Sequence, residues 1–216
     1  AINLHGENRW DAPPSVFSAG NKIYNNTITN CNVATVGDGS IRISGQTDLE
    51  IYNNTVSQLT RGHGVTGQNI IAGSNNKGTT IHNNVFNTPP VGYGAYNFVF
   101  EFWDCLGGVE IRDNTFNGGG MIDIGGHYTK ILTPGEYAFS VSIHDNDMLL
   151  SSQGVYEDKV NTAIDLESWG SLSDIYIYNN HIKNFGWGIE MTLGNAAVLN
   201  ATVDNVYIYN NIIENV

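Results

Sequence analysis

The most regular feature of the chain is a short pattern of apolar and polar positions that recurs about every 30 residues. In Ile51-Tyr52-Asn53-Asn54-Thr55-Val56, apolar positions precede an asparagine pair, and one apolar residue follows two places after it. A repeat of roughly 20–50 residues is typical of solenoids, propellers and arrays. The last residue of the pair is asparagine in every copy: Asn26, Asn54, Asn84, Asn114, Asn146, Asn180 and Asn211.

The alternation within each copy indicates strands rather than helices, because apolar positions recur with a period of two and no 3.6-residue stripe is visible. Short strands in repeats of this length predict coils whose successive strands lie parallel, roughly 4.8 Å apart. A second apolar–x–apolar run supports this interpretation in most repeats: Ile41-Arg42-Ile43, Ile70-Ile71-Ala72, Phe100-Glu101-Phe102, Ile122-Asp123-Ile124, Ile164-Asp165-Leu166 and Ile189-Glu190-Met191.

The second asparagine of each pair is predicted to do two things. Asparagine tolerates left-handed backbone geometry, so it suits the tight bend after the strand. Its carboxamide can also bond to the copy in the next coil, and such asparagine ladders stabilise stacked strands.

These Ile-x-Asn-Asn-x-Ile/Phe repeats resemble those of right-handed parallel β-helix proteins. That pectin-lyase-like superfamily includes polysaccharide lyases, polygalacturonase-like hydrolases, alginate lyases and epimerases, and phage tailspikes. The resemblance covers nearly the whole chain and implies an all-β, right-handed, single-stranded parallel β-helix of about seven coils, one domain over residues 1–216. It implies no particular activity, because the repeat encodes stacking and not chemistry.

The ends of such a solenoid need protection, because an open terminal coil exposes strand edges. The chain is therefore expected to be a segment of a larger protein, or to be capped at its open ends by another domain or chain.

Candidate chemistry lies at the middle residue of each second run, which is expected to face solvent because its apolar neighbours face the core. Adjacent coils would bring carboxylates within about one strand spacing. Like charges this close should raise at least one pKa, and they destabilise a sheet, so a purely structural role is disfavoured. The predicted outward column reads Asn3, Arg42, Ile71, Glu101, Asp123, Asp165 and Glu190.

Two carboxylates on such a column could cleave a glycosidic bond, one as acid and the other as base or nucleophile. Glu101, Asp123, Asp165 and Glu190 are therefore the candidate catalytic residues. Aromatic and polar neighbours could stack on or bond to sugar rings. The candidate substrate-binding residues are Trp103, His127, Tyr128, Glu167, Trp169 and Trp187.

Three alternatives stay open. The acidic stripe could belong to a non-catalytic structural or glycan-binding solenoid, such as an adhesin, fibre or tailspike shaft. It could bind calcium, which prefers several oxygen ligands. A calcium-dependent lyase would need a basic residue, for which Arg61 and Lys130 are candidates because the column itself contains only Arg42.

The segment Gly62-His63-Gly64 is similar to a polygalacturonase motif, but the family's other motifs are missing. Hydrolysis by paired carboxylates is therefore the leading hypothesis.

The net charge of the chain limits the classes of molecule that it is expected to bind. A net charge of −12 argues against nucleic acid and anionic membranes, and it favours a neutral polysaccharide or an acidic one bridged by calcium. No cofactor is required, although calcium is compatible. There is no run of about 20 apolar residues, and a polysaccharide substrate implies a secreted or cell-surface location.

Two minor features complete the expectations. Cys31 and Cys105 are predicted to be buried thiols that lie too far apart for a disulfide. Three segments match the N-glycosylation sequon, namely Asn25-Asn26-Thr27, Asn53-Asn54-Thr55 and Asn200-Ala201-Thr202. The first two are expected to be poor acceptors, because they lie in the stacked bend.

Overall fold

The chain folds as a parallel β-solenoid. The computed structural model describes residues 2–5, 16–31, 40–57, 71–74, 76–87, 98–103, 107–118, 121–125, 140–150, 162–167, 172–192 and 203–216. Every regular element within those residues is a β-strand, and the 22 strands form three sheets in which all neighbours run parallel. The predicted all-β solenoid of stacked parallel strands is confirmed.

Each sheet gathers one type of strand from successive repeats. Sheet A has the order β1 (Ile2–His5), β5 (Ile41–Ser44), β8 (Ile71–Ser74), β11 (Phe98–Trp103), β14 (Met121–Gly125), β17 (Thr162–Glu167), β20 (Trp187–Thr192). Sheet B has the order β2 (Ser18–Ala19), β6 (Gln46–Tyr52), β9 (Lys77–His82), β12 (Val109–Arg112), β15 (Val141–His144), β18 (Leu172–Tyr178), β21 (Val203–Tyr209), with β3 (Lys22–Tyr24) also on β6. Sheet C has the order β4 (Thr27–Thr29), β7 (Thr55–Ser57), β10 (Val85–Asn87), β13 (Thr115–Asn117), β16 (Asp147–Leu149), β19 (His181–Lys183), β22 (Ile212–Glu214).

The core is a continuous column of side chains between the three sheets. Isoleucines dominate it, and Ile51, Ile81 and Ile111 of successive coils are fully buried. Phe86 lies within 5.2 Å of Phe116 and 4.9 Å of Phe100, ring centre to ring centre, so one region of the core is aromatic. Large apolar side chains buried this way each contribute about 1.5–3 kcal/mol to folding.

The asparagine ladder is confirmed at all seven positions. The backbone N–H of each of the first six asparagines donates to Oδ1 of the asparagine one coil further on, over 2.9–3.2 Å. Its Nδ2 donates to the same Oδ1 over 2.9–3.0 Å. Asn54, Asn84 and Asn114 are each 1 % exposed, so the ladder satisfies polar groups inside the fold.

The prediction for the bend itself is wrong in one respect. The left-handed residue is the first of each pair, and its φ lies between 54° and 56° in all seven copies: Asn25, Asn53, Asn83, Asp113, Asp145, Asn179 and Asn210. The two tasks are therefore divided, since the first residue turns the chain and the second forms the ladder. Aspartate can replace asparagine at the first position because both tolerate this backbone region.

A second left-handed column was missed by the sequence interpretation. It lies five residues before six of the seven bend residues, with φ between 51° and 67° at Gly20, Asp48, Gly78, Gly108, Asp174 and Asn205. Gly78 requires glycine for a further reason, since an added Cβ would come within 2.8 Å of Asp48 Oδ1. The recurrence of Gly, Asp or Asn at a fixed offset from the asparagine pair is the signal that could have revealed this column.

Two further observations concern the predicted side features. Cys31 is exposed, so its predicted burial is wrong, and Cys105 lies outside the described residues. The described part of the chain contains no helix with the length and hydrophobicity that a membrane span needs.

Candidate functional site

The four predicted catalytic positions lie side by side on sheet A. Glu101 of β11 pairs with Asp123 of β14, Asp123 pairs with Asp165 of β17, and Asp165 pairs with Glu190 of β20. Parallel pairing in register places each position about 4.8 Å from the next. We call these four residues the carboxylate column.

The column continues through uncharged and basic positions toward the first coil. Glu101 pairs with Ala72, Ala72 with Arg42, and Arg42 with Asn3. The prediction of Ile71 at this level is wrong, because Ile71 is fully buried and pairs with Ile41 and Phe100 in the core. The strand begins one residue later than the predicted frame, and a shift of one residue exchanges the two faces of a strand.

Alternation places the column on the face of sheet A opposite the core, but not in solvent. Ile122, Ile124, Ile164 and Leu166, which flank the two aspartates, all belong to the core cluster. Asp123 is nevertheless only 2 % exposed and Asp165 only 4 %. The prediction of a solvent-facing column is therefore wrong at these two coils, because alternation fixes the side of a sheet but not what packs there.

Glu190 differs from the two buried aspartates. It is partly exposed, and its Oε2 accepts a hydrogen bond of 3.1 Å from Oγ1 of Thr162 on β17. Thr162 is fully buried, so the hydroxyl that holds this carboxylate is itself fixed by its surroundings. The last two coils of the column thus combine an enclosed carboxyl with a more accessible one.

The structure places only some of the predicted substrate-binding residues. Glu167 lies on β17 two residues after Asp165, opposite Gly125 and Thr192, and Trp103 lies on β11 opposite Ser74. His127, Tyr128 and Trp169 lie outside the described residues, as do Arg61, His63 and Lys130.

Trp187 lies on the same strand as Glu190 but not beside it. The two residues are three positions apart, and Trp187 pairs in register with Thr162, the residue whose Oγ1 donates to Glu190. Trp187 is 56 % exposed because β20 is the last strand of sheet A.

Sheet B carries a second set of polar contacts that the sequence interpretation did not anticipate. His82 and His144 occupy the repeat position of Tyr52 and Tyr178, and they lie in a column of stacked rings. Tyr24, Tyr52 and His82 stack at 5.0 and 5.2 Å, and His144, Tyr178 and Tyr209 at 4.5 and 5.0 Å. The two stacks are separated by Arg112, which pairs in register with both His82 and His144.

His144 is more enclosed than an outward repeat position implies. Its Nδ1 lies 2.7 Å from Asp145 Oδ2 and its Nε2 lies 3.3 Å from Glu110 Oε1, with the side chain 11 % exposed. The hydrogen bond from His144 holds the pKa of Asp145 below its usual value. Burial lowers the pKa of His82, and the nearby Arg112 charge lowers it further.

A comparable contact occurs on sheet C. His181 lies between Asp147, at 2.9 Å, and Glu214, at 3.4 Å, and Lys183 approaches Glu214 to 3.2 Å. Hydrogen bonds from Lys183 and His181 lower the pKa of Glu214. Both histidines thus contact two carboxylates, at least one of them in a neighbouring coil. Only Asp147 and His181 pair in register, and this is the contact that the sequence could have indicated.

Among the described residues, no three acidic, histidine or cysteine side chains are arranged to hold a metal ion. The compatibility with calcium stays a prediction, since several candidate ligands lie outside those residues.

Compared with protein-family models, with curated proteins and with solved structures, the chain matches none of them. The solenoid fold therefore rests on the strand pairing itself, and function has to be argued from the residues of the carboxylate column.

Proposed function

We propose that the chain processes an extracellular polysaccharide by hydrolysing glycosidic bonds with the carboxylate column. The observation that supports this is the register of sheet A, which aligns four acidic residues on four consecutive strands. Like charges on neighbouring strands are unfavourable, so an uninterrupted acidic row suggests a use other than stability.

Within the column, Asp165 and Glu190 form the best candidate pair. Glycoside hydrolysis needs one carboxyl that donates a proton and one that stays ionised, and enzymes separate these roles by unlike surroundings. Asp165 is 4 % exposed, whereas Glu190 is partly exposed and held by Thr162. We assign Asp165 as the acid and Glu190 as the nucleophile.

The spacing of the pair favours one stereochemical outcome. The backbones of adjacent strands lie about 4.8 Å apart, a spacing that suits the roughly 5–5.5 Å between the carboxyls of retaining enzymes. Carboxyls two strands apart would lie about 9–10 Å apart, at the far limit of the inverting range. Hydrolysis by Asp165 and Glu190 should therefore retain the configuration at the anomeric carbon.

The experiment is release of products from a panel of neutral and acidic polysaccharides, with calcium and with a chelator. New reducing ends without absorbance from unsaturated sugars would support hydrolysis, whereas that absorbance would indicate a lyase. Glu190→Gln should abolish release while the thermal unfolding midpoint changes little. Glu50→Gln is the matched control, because Glu50 forms its 3.0 Å ion pair with Lys22 on sheet B, away from the column.

A non-catalytic structural or glycan-binding solenoid is the second candidate. The burial of Asp123 and Asp165 favours it, because an enclosed carboxyl is difficult for a polymer to reach. In that case no polysaccharide in the panel would release products, and the acidic row would affect only stability. The two candidates therefore differ in the outcome of the same assay.

A further inference from the structure

The bend between sheets B and C separates each asparagine pair into an inward and an outward residue. Asn26 and Asn54 point inward and belong to the ladder. Asn25 and Asn53, directly before them, are exposed and turn the chain with φ of 56° and 54°. A group attached to the outward residue would therefore leave the ladder hydrogen bonds in place.

Two of the bends carry a threonine two residues after the outward asparagine. Asn25-Asn26-Thr27 and Asn53-Asn54-Thr55 each match the acceptor sequence for N-linked glycans, and both threonines are exposed. The acceptor in this sequence is the first residue, which is the outward one. The expectation that the stacked bend makes them poor acceptors is thus not supported, because stacking engages only the second asparagine.

The acceptor carboxamides also differ from their counterparts in other coils. Asn83 Nδ2 lies 2.9 Å from His82 Nδ1, and the Asn179 side chain donates to Asp145. Within the described part of the chain, no hydrogen bond engages the carboxamide of Asn25 or Asn53. The amide nitrogen that would have to react is therefore on an exposed residue and forms no hydrogen bond with any described residue.

We propose that Asn25 and Asn53 are acceptor sites for N-linked glycans, on a face separate from the carboxylate column. In the reaction, Nδ2 forms a bond to C1 of the first sugar of a lipid-linked oligosaccharide. The bond from C1 to the pyrophosphate oxygen breaks, the lipid pyrophosphate leaves, and one Nδ2 proton passes to a base of the transferase. This proposal does not depend on the chain being a hydrolase.

The two sites should compete with each other. They occupy the same bend position in consecutive coils, about one strand spacing of 4.8 Å apart. A glycan is bulky, so a sugar on one site obstructs the other. We expect most chains to carry one glycan, distributed between Asn25 and Asn53.

The test is expression of the full chain behind a secretory leader in a eukaryotic host. An Asn200→Gln background removes the third sequon, which lies outside the described residues. Intact mass is measured before and after an amidase that removes N-glycans and leaves aspartate at the modified position. The expected result is a mass loss with aspartate at position 25 or 53, and loss of the glycan in the Asn25→Gln, Asn53→Gln double variant.

A gain-of-site variant supplies the positive control. Asp113-Asn114-Thr115 has the same bend, with φ of 54° at Asp113, but carries aspartate at the acceptor position. Asp113→Asn should add a third site of the same geometry. A secreted chain that carries no glycan at positions 25 and 53, whether or not Asp113→Asn is modified, would overturn the proposal.

Discussion

At the scale of the residue, the asparagine pair shows how two neighbouring side chains divide one task. The first residue supplies the left-handed bend, with φ near 55°, and the second supplies the ladder. The division explains why Asp113 and Asp145 are accepted at the first position. A carboxylate can adopt the bend, but it cannot donate the Nδ2 hydrogen bonds that the second position makes to the neighbouring coils.

The ladder position should be costly to change. Asn114 is 1 % exposed, and its Nδ2 donates to Ile81 O, Arg112 O and Asn146 Oδ1 over 2.8–3.0 Å. Asn114→Ala removes these three hydrogen bonds and takes away the Oδ1 that accepts from the backbone N–H of Asn84. We expect a loss of about 2–4 kcal/mol in the free energy of unfolding, measured by urea denaturation.

The neighbouring bend position provides the matched comparison. Asp113→Asn keeps a residue that tolerates positive φ and should change stability by less than about 0.5 kcal/mol. Asp113→Val places a β-branched residue at φ of 54° and should cost about 1–2 kcal/mol. Equal losses for Asp113→Asn and Asn114→Ala would contradict the division of tasks.

At the scale of the element, each strand pair is joined by side-chain contacts that continue from coil to coil. On β15, the ring of His144 stacks on Tyr178 of β18 at 4.5 Å, while its two nitrogens face Asp145 and Glu110. Sheet B is thus reinforced on its outer face by stacked rings on both sides of Arg112 and by the contacts of His144 with two carboxylates.

The His144 contact leads to a prediction about pH. The hydrogen bond lowers the pKa of Asp145 in the folded chain below its usual value of 3.8. A lowered carboxyl pKa stabilises the fold above the unfolded value, and this contribution is lost as pH falls through the folded pKa. Since Asp145 is exposed, the contribution should be well below about 1 kcal/mol.

The measurement is an NMR titration of the Asp145 carboxyl. His144→Tyr, which installs the residue found in the same column at Tyr52 and Tyr178, should return the Asp145 pKa toward its ordinary value. His82→Tyr, two coils away on β9, is the control and should leave it unchanged. An Asp145 titration that is identical in all three proteins would refute the role of His144.

The sequence predicted the strands and their pairing well wherever the alternation of apolar residues and the repeat length were sufficient to define them. The strands, the ladder and the register of the four carboxylates follow from apolar alternation and a repeat near 30 residues. Ile71 was misplaced because a short apolar run fits two frames one residue apart, and only pairing with Ile41 and Phe100 separates them. The burial of Asp123 and Asp165 could not be predicted, because it depends on packing against a face that the strand pattern leaves undefined.

At the scale of the whole molecule, a solenoid holds each coil mainly through its neighbours. The central strands have neighbours on both sides, and Val141 and Ile143 of β15 are fully buried. On β21, the last strand of sheet B, Ile208 is 46 % exposed. The free energy of local opening should therefore vary along the axis.

Hydrogen exchange should reveal this gradient. Amides of β9, β12 and β15 are expected to exchange slowest, near the rate set by global unfolding, and amides of β21 and β22 much faster. Asn114→Ala should speed exchange most in the strands that flank it. Uniform protection across all the described strands would mean that the solenoid unfolds as one cooperative unit instead.

The carboxylate column occupies the last four of the seven strands of sheet A, where its effect on stability can be separated from the proposed hydrolysis. If Asp123 and Asp165 repel one another across paired strands, neutralising either should relieve the repulsion by about 0.2–1 kcal/mol. The double variant should then gain less than the sum of the singles, because one substitution already removes the shared term. Unfolding of Asp123→Asn, Asp165→Asn and the double variant gives this coupling energy directly, with Asp204→Asn on the exposed strand β21 as the control.

Single variants that each lose more than about 1 kcal/mol of unfolding free energy would show that these carboxylates support the structure, which favours the non-catalytic solenoid. If the single variants instead gain stability and lose polysaccharide hydrolysis, the carboxylates are retained for catalysis at a cost in stability.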